Sequence, residues 1–192
     1  MHEKWISNKE RKFHQAVAFL DLSAAFDTLC RDIICQKLKT YGFDKTSVEW
    51  FHSYMSERTQ CVLVGSTLSE PIDLRVGSPQ GSILPPTLFI ILLADIELWC
   101  PGAELCGYAD DTTCTVYDTN INSLQDKCEE KVNQLLTYMA INRLAANDDK
   151  TKILVMRHGK QDEELTFKIR DAEVKESTSK KLLGVWVANS LN

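Results

Sequence analysis

The chain of 192 residues is long enough to bury a sizeable core, and its 44% hydrophobic and 26% charged residues are an ordinary globular composition. Its net charge of −5 is unusual for a protein that binds nucleic acid alone, so we expect either weak nucleic-acid binding or basic parts that are missing. The longest apolar stretch, residues 84–100, includes Asp95 and Glu97 and is too short to span a bilayer.

The first half of the chain predicts a polar lead-in, one buried strand, two helices and a pair of strands. Residues 1–14 are polar and of mixed charge, and we interpret them as a lead-in to a single domain that covers residues 15–192. The predicted elements are a strand at 15–22, helices at 30–41 and 45–57, and strands at 59–64 and 70–76.

The second half predicts further alternation of helices and strands. Its predicted elements are a loop at 77–82, a helix at 86–99, a hairpin within 106–117, a helix at 121–144, a strand at 152–156, a hairpin about Asp171 and Ala172, and a last strand at 182–187. The apolar residues of the segment 86–99 cover nearly the whole circumference of the helix, which predicts a central buried helix. The order of elements predicts an α+β fold, an antiparallel sheet with helices packed on one face.

Two adjacent acids, Asp110 and Asp111, lie where one predicted hairpin turns. Such a pair is most often a solvated turn. Asp21, however, follows an apolar run of strand type, where a charge is costly unless it is paired or binds a metal. Three carboxylates brought together repel one another, and divalent cations relieve that repulsion. The pattern therefore indicates a Mg²⁺ site and phosphoryl or nucleotidyl transfer.

Five blocks of sequence, two of which contain these acids, follow one another along the chain. They are 19–27 (FLDLSAAFD), 77–84 (GSPQGSIL), 108–111 (YADD), 142–152 (NRLAANDDKTK) and 181–185 (KLLGV). In this order they resemble motifs A to E of the reverse transcriptase domain of non-LTR (LINE-type) retrotransposons, and the resemblance extends from residue 19 to about 187. It implies a polymerase palm, in which an antiparallel sheet is backed by helices, with the fingers largely missing and no thumb.

The resemblance also implies an activity, RNA-directed DNA polymerisation with two ions of Mg²⁺ or Mn²⁺. The implied metal ligands are Asp21, Asp110, Asp111 and the carbonyl of Leu22. Lys150 matches the motif D lysine that donates a proton to pyrophosphate, although an ordinary exposed lysine is an equal alternative. The implied partners are an RNA template with a DNA primer and deoxynucleoside triphosphates.

Three other residues match positions that contact the incoming nucleotide. Phe26 matches the aromatic gate that excludes a ribose 2′-hydroxyl, and the alternative is a core phenylalanine at the start of a helix. Gln80 and Gly81 match the motif B loop, where glycine allows close backbone approach. The alternative for both is an ordinary loop before a helix.

The chain departs from the family pattern at three positions. Pro85 replaces the usual glycine of motif B, Arg143 replaces the usual glycine of motif D, and Asp148 replaces a proline. These changes put the local loop geometry in doubt, and the apparent truncation puts activity in doubt. An inactive transposon-derived fragment, or a nucleic-acid-binding remnant without polymerase activity, therefore stays open as an alternative function.

The cysteines and the N-terminus indicate an intracellular protein, in the nucleus or the cytoplasm. The seven cysteines are odd in number and form no CxxC pair, which favours reduced core thiols over disulfides or a zinc site. The first residues lack the charged start and apolar run of a signal peptide. We expect no membrane association, and the sequence leaves the oligomeric state open.

Overall fold

A computed structural model describes residues 2–79, 81–108, 111–147, 150–159 and 164–190. The chain groups into two compact units. We call the first the sheet unit, which comprises Met1–Ser23, Ile96–Ala140 and Ala146–Asn192, and the second the helical unit, which comprises Ala24–Asp95 and Ile141–Ala145. The division into a lead-in and one domain stays a prediction.

The described elements follow the predicted alternation. The helices are α1 (His2–Glu10), α2 (Arg31–Thr40), α3 (Lys45–Tyr54), α4 (Leu84–Leu93), α5 (Ile96–Trp99) and α6 (Ile121–Ile141). The strands are β1 (His14–Leu20), β2 (Leu22–Ser23), β3 (Arg58–Gln60), β4 (Leu63–Val64), β5 (Thr67–Leu68), β6 (Ile72–Leu74), β7 (Glu104–Tyr108), β8 (Asp111–Asp118), β9 (Ala145–Ala146), β10 (Lys152–Met156), β11 (Thr166–Ile169), β12 (Ala172–Ser177), β13 (Ser179–Leu182) and β14 (Val185–Ala188).

The sheet unit is built on a six-stranded sheet in the order β11-β12-β10-β1-β8-β7. Neighbouring strands are antiparallel except β10 and β12, which are parallel. All seven residues of β1 are buried, which fits its place inside the sheet between β10 and β8. The predicted α+β palm, an antiparallel-rich sheet backed by helices, is confirmed.

Helices cover both faces of this sheet, whereas the sequence predicted one. On one face, Trp5 of α1 packs with Val17 and Phe19, and its Nε1 donates to Thr115 Oγ1 at 3.2 Å. On the other face, Cys128 of α6 lies near Cys114 of β8. A strand that is buried at every position needs both faces covered, and this requirement explains why residues 2–10 form a packed helix.

The helical unit contains α2, α3 and α4 together with two short hairpins. The strand predicted at 59–64 is broken into β3 and β4, and the strand predicted at 70–76 is shortened to β6. Strand β3 pairs with β6, and β4 pairs with β5 at the tip. Helix α4 ends at Leu93, so the helix predicted at 86–99 is interrupted. Its predicted burial on all sides is wrong, since Ile90 is 69% exposed.

The C-terminal part of the sheet unit contains one turn that the sequence did not predict. A single strand was predicted at 182–187, but β13 and β14 form a hairpin. Leu183 and Gly184 make its turn with φ angles of 47° and 85°. Glycine suits the second position of this turn, but leucine is not a turn-forming residue, so the first position carried no sequence signal. The hairpins β7–β8 and β11–β12 and the strand β10 are confirmed.

Two further expectations concern cysteines and membranes. All seven cysteines lie among the described residues as free thiols, and five of them are buried, which agrees with the expected core positions. Their reduced state stays a prediction. Within the described ranges, no helix has the length and apolar character needed to cross a bilayer.

Candidate active site

The register of two central strands brings the motif A and motif C segments together in the sheet unit. Strands β1 and β8 pair from His14 with Asp118 to Leu20 with Thr112. The register ends one residue before Asp21 and one residue after Asp111. If the register continued by one step, Asp21 would be level with Asp111, and side chains that are level on antiparallel neighbours share a face of the sheet. Strand pairing therefore brings the backbone of these two predicted site residues to the same end of the sheet.

The third acid, Asp110, lies outside the described residues. The hairpin that carries it is nevertheless defined on both sides, because Tyr108 pairs with Asp111 and Gly107 pairs with Thr112. The predicted hairpin at this motif is therefore present. The metal-binding role of Asp110 stays a prediction.

Asp21 is held by a segment that comes from motif D. Its backbone carbonyl accepts a hydrogen bond of 2.8 Å from the N–H of Asn147. The backbone carbonyl of Asn147 in turn accepts a hydrogen bond of 3.1 Å from the N–H of Lys150. The sequence indicated no such link, because backbone hydrogen bonds leave no residue signature. The consequence is that Asp21 and Lys150 are positioned by the same short turn.

Lys150 makes a direct ion pair with Asp21. Its Nζ lies 3.0 Å from Oδ2 of Asp21, and the two side chains are 61% and 22% exposed. The ammonium group supplies a positive charge where the resemblance implies metal ions. Sequence reasoning selected both residues, but it gave no contact between them. The Asp21 carboxylate is thus in contact with a cationic group in the structure.

The residues present suit a divalent ion. Carboxylates are the hard oxygen donors that Mg²⁺ prefers, and the lysine already neutralises one of them. Within the described ranges, which omit Asp110, no group of three or more acidic, cysteine or histidine side chains forms a metal site. Leu22 begins β2 with its side chain buried, and the role of its carbonyl stays a prediction.

Phe26 lies in the helical unit, and its surroundings fit the core alternative as well as the gate. Its ring centroid lies 5.6 Å from that of Phe89 in α4, with the planes tilted by 52°. The side chain is half-buried. A ring that packs on one side and is open on the other is compatible with both interpretations, so the gate stays a prediction.

The motif B loop is tied to the segment that contains Phe26. The N–H of Gly77 donates to the carbonyl of Leu29 at 2.8 Å, and that of Ser78 donates to the carbonyl of Phe26 at 2.9 Å. Gly77 has φ of 84°, and a Cβ there would lie 2.8 Å from the carbonyl oxygen of Asp27. Only glycine permits this approach, so the loop position depends on it.

Arg58, which the sequence analysis left without a role, also fixes this loop. Its Nη2 donates to the carbonyl of Val76 at 3.1 Å and to that of Gly77 at 2.5 Å. Gly81 follows with φ of 78° and open space at its Cβ position. Gln80 lies outside the described residues, and the nucleotide contacts of Gln80 and Gly81 stay predictions.

The structure describes the local backbone at two of the three positions where the chain departs from the family pattern. Pro85 lies in the first turn of α4, where no backbone N–H is needed, and the helix begins at Leu84, two residues before the predicted start. Arg143 adopts φ of 58°, the left-handed conformation that glycine favours. The backbone turn is therefore kept without the glycine. Asp148 lies outside the described residues.

A model of one protein family matches nearly the whole chain. The family is described as "Reverse transcriptase (RNA-dependent DNA polymerase)", and the match covers residues 2–187. It includes most of the segment that the sequence analysis treated as a lead-in. The resemblance predicted from the five sequence blocks is confirmed.

Curated relatives come from mobile elements. The chain is 31% identical over 139 residues to the probable RNA-directed DNA polymerase from transposon BS of Drosophila melanogaster, which covers 68% of this chain and 14% of the relative. It is 33% identical over 110 residues to the RNA-directed DNA polymerase from mobile element jockey of the same organism, covering 54% and 12%. The chain thus spans a small part of each.

Solved structures share the fold. The telomerase of Candida tropicalis, in complex with the TWJ fragment of telomeric RNA, matches with a TM-score of 0.60 at 16% identity, over 86% of this chain and 30% of that one. The telomerase of Candida albicans matches with a TM-score of 0.58 at 14% identity, over 91% and 32%. Together with the family match, these findings show that the chain belongs to the reverse transcriptase family.

Proposed function

We propose that the chain is the palm of an RNA-directed DNA polymerase that extends a DNA primer on an RNA template with deoxynucleoside triphosphates. The observation that supports the proposal is the pairing of β1 with β8, which ends at the residues next to Asp21 and Asp111. The family match supports the reaction class, and members of this family generally use divalent metal ions. The chain covers 14% of the first relative, so the activity of the whole protein is part of the proposal.

In this proposal Asp21, Asp110 and Asp111, with the Leu22 carbonyl, hold two ions of Mg²⁺ or Mn²⁺. When bound, such ions activate the primer hydroxyl and stabilise the charge on the leaving pyrophosphate. The pairing of β1 with β8 next to Asp21 and Asp111 supports this arrangement. Carboxylates held by paired strands would be oriented before a ligand binds, which would lower the cost of bringing like charges together.

Lys150 is the proposed proton donor to the leaving pyrophosphate. Its ammonium group contacts Asp21 in the structure, so the proposed proton donor lies beside a carboxylate that is a proposed metal ligand. A side chain that is 61% exposed can leave this contact when a stronger cation occupies the carboxylate. Lys150 would then be free to face the phosphates of the incoming nucleotide.

The nucleotide would be selected by residues of the helical unit. The ring of Phe26 packs on one side against Phe89, which would restrict its orientation. A fixed ring can reject a ribose by steric clash with its 2′-hydroxyl. Gln80 and Gly81 would contact the incoming nucleotide. Replacing Phe26 with alanine should therefore raise the incorporation of ribonucleotides relative to deoxynucleotides.

The proposal is tested by primer extension on poly(rA) primed with oligo(dT), with Mg²⁺ or Mn²⁺. Wild-type chain should extend the primer, and Asp21→Asn, Asp110→Asn and Asp111→Asn should each abolish extension. Absence of extension by wild type at any protein concentration would contradict polymerase activity for this chain. If RNA binding then persists, the alternative of a nucleic-acid-binding remnant is supported.

A further inference from the structure

The six-stranded sheet of the sheet unit has two edge strands among the described residues, β11 and β7, and their backbone groups have different surroundings. An edge strand presents N–H and C=O groups that no neighbouring strand satisfies. Natural proteins cover such groups, or they keep other strands away with lysine, proline or a bulge. A comparison of the two edges therefore indicates which of them is open to a partner.

Side chains of α6 cap the edge of β11. The N–H of Lys168 donates to Oε1 of Glu129 at 2.8 Å, and the carbonyl of Lys168 accepts from Nδ2 of Asn133 at 3.2 Å. Asn133 also accepts a hydrogen bond of 2.7 Å from the N–H of Arg170. A strand added at this edge would have to displace these side chains, so the edge of β11 is closed.

The edge of β7 has no such cap. Cys106 is level with Thr113 of β8, and its carbonyl accepts a hydrogen bond of 3.1 Å from the hydroxyl of Thr113. The backbone groups of Cys106 therefore face β8, and in an antiparallel pair those of its neighbours Leu105 and Gly107 face the opposite way. Within the described part of the chain, no hydrogen bond satisfies these outward groups of Leu105 and Gly107.

The sequence of β7, ELCGY, contains little that would keep a second strand away. It has no lysine and no proline, and its single charged residue, Glu104, lies 3.6 Å from Lys4 of the same unit. Cys106 is exposed, and Tyr108 is 66% exposed. A cavity of about 180 Å³, lined in part by Leu105 and Cys106, adds open space beside the strand. The edge is therefore accessible as well as unpaired.

The outward groups of β7 are complementary to those of a second copy of the same strand. When two β7 strands run antiparallel about Cys106, Leu105 of each copy is level with Gly107 of the other. Each of these two pairs exchanges two hydrogen bonds, which satisfies every outward group of both residues. Glu104 is then level with Tyr108, so no like charges meet. We propose that the edge of β7 binds β7 of a second copy and forms a two-fold symmetric dimer with one continuous sheet.

This register gives the dimer a measurable signature. The Cys106 residues of the two copies face each other at the centre, in a pair without hydrogen bonds, where Cα atoms lie about 4.5 Å apart. Cysteines at about that separation form a disulfide. Strands of five residues bury a small interface, so the dimer forms reversibly and only at high protein concentration. Its formation does not depend on polymerase activity.

The first test oxidises the full chain with diamide. Two Cys106 thiols lose two protons and two electrons as the disulfide forms, and the diamide takes them up and becomes a hydrazine. Wild type and Cys61→Ser should both give a linked dimer on a non-reducing gel, whereas Cys106→Ser should give less than a tenth as much. Cys61 is the other exposed cysteine and so provides the matched control. Equal cross-linking of Cys106→Ser, or none in wild type, would overturn the proposal.

The second test compares Gly107→Pro with Gly107→Ala by analytical ultracentrifugation. A Cβ at this position has nothing within 4 Å, so both side chains have space. Only proline removes the outward N–H, and edge strands tolerate proline where the N–H faces solvent. Gly107→Pro should weaken the dimer at least about tenfold, because two hydrogen bonds are lost, and Gly107→Ala should weaken it less than about threefold.

Two results of the second test would overturn the proposal. One is equal dimerisation of the two Gly107 variants, because the outward N–H would then have no part in the contact. The other is a wild-type chain that remains a monomer at about 200 μM, well above the range where weak dimers form. The open edge would in that case be left to a strand of another protein. Circular dichroism melts check that both variants fold, and the cross-linking of Cys106 tests the same register without them.

Discussion

The Nζ atom of Lys150 lies 3.0 Å from Oδ2 of Asp21, so the proposed general acid and a proposed metal ligand form an ion pair. We predict that Lys150→Met strengthens the binding of Mn²⁺ to the chain without nucleotide. An exposed salt bridge is worth about 0.2–1 kcal/mol, and removing it should tighten binding by up to about fivefold. Electron paramagnetic resonance of free Mn²⁺ measures this affinity.

The same substitution should have the opposite effect on catalysis. If Lys150 donates a proton to pyrophosphate, its loss should slow primer extension about 10²- to 10⁴-fold. The matched control is Lys152→Met, which removes a neighbouring exposed lysine of β10. It should change neither measurement by more than twofold. Weaker Mn²⁺ binding by Lys150→Met would contradict the proposed competition between the ammonium group and a metal.

The motif B loop offers a second prediction, which compares two glycines. Both Gly77 and Gly81 have positive φ angles, but only Gly77 has a neighbour within reach of an added Cβ. Gly81→Ala should cost about 1–2 kcal/mol from backbone strain alone. Gly77→Ala should cost at least about 3 kcal/mol, because the carbonyl oxygen of Asp27 must also move. Urea denaturation measures both values, and equal costs would show that the loop moves freely.

A buried ion pair in the sheet unit gives a third prediction. Arg157 and Glu176 form two contacts of 2.5 and 2.6 Å between side chains that are 12% and 6% exposed. The N–H of Leu165 also donates to Glu176. Glu176→Gln should lower the free energy of unfolding by about 3 kcal/mol, because it leaves the guanidinium buried with a weaker partner.

The matched control for this pair is an exposed one in the same unit. Glu104 lies 3.6 Å from Lys4, whose side chain is 67% exposed. Glu104→Gln should change the free energy of unfolding by less than about 0.5 kcal/mol. Urea denaturation at pH 7 measures both variants. A similar small cost for Glu176→Gln would mean that water reaches the buried pair.

The sequence was sufficient wherever the signal for an element was local. Strand β10 at 152–156 follows from a continuous apolar run, and the hairpin of β7 and β8 follows from apolar and β-branched residues on both sides of a turn. The candidate site acids carry a local signal of the same kind, and their role stays a prediction. Each one interrupts an apolar strand or terminates it, which is a signal that an isolated sequence contains.

The features that the sequence did not predict depend on tertiary contacts. Residues 2–10 are polar apart from Trp5 and Ile6, so only the packing of Trp5 on the sheet reveals that helix. The turn at Leu183 and the turn at Arg143 both use positive φ angles at residues that rarely adopt them. The link between Asn147 and Asp21 is a backbone hydrogen bond, which no side chain encodes. Such features are decided by the fold as a whole.

The last prediction concerns acid stability and Asp118 at the far end of β8. Hydrogen bonds from Lys127, from the N–H of Asn120 and from the hydroxyl of Ser123 hold the pKa of the Asp118 carboxyl well below its usual range. A lowered pKa in the folded state contributes stability that is complete above the unfolded value of about 3.9. That contribution is lost as the pH falls below 4 and through the folded value.

Asp118→Asn should therefore be less stable than wild type by about 1 kcal/mol at pH 7, and the difference should shrink towards zero near pH 2. His14, which pairs with Asp118 across the strands, has a pKa lowered chiefly by burial and titrates in both proteins. The charge of Asp118 also raises the pKa of His14, so that histidine contributes to the difference between the two proteins. Urea denaturation at pH 7, 5, 3 and 2 measures the difference, and Asp126→Asn on the exposed side of α6 is the control. A difference that stays constant with pH would mean that Asp118 acts only through neutral hydrogen bonds at the start of α6.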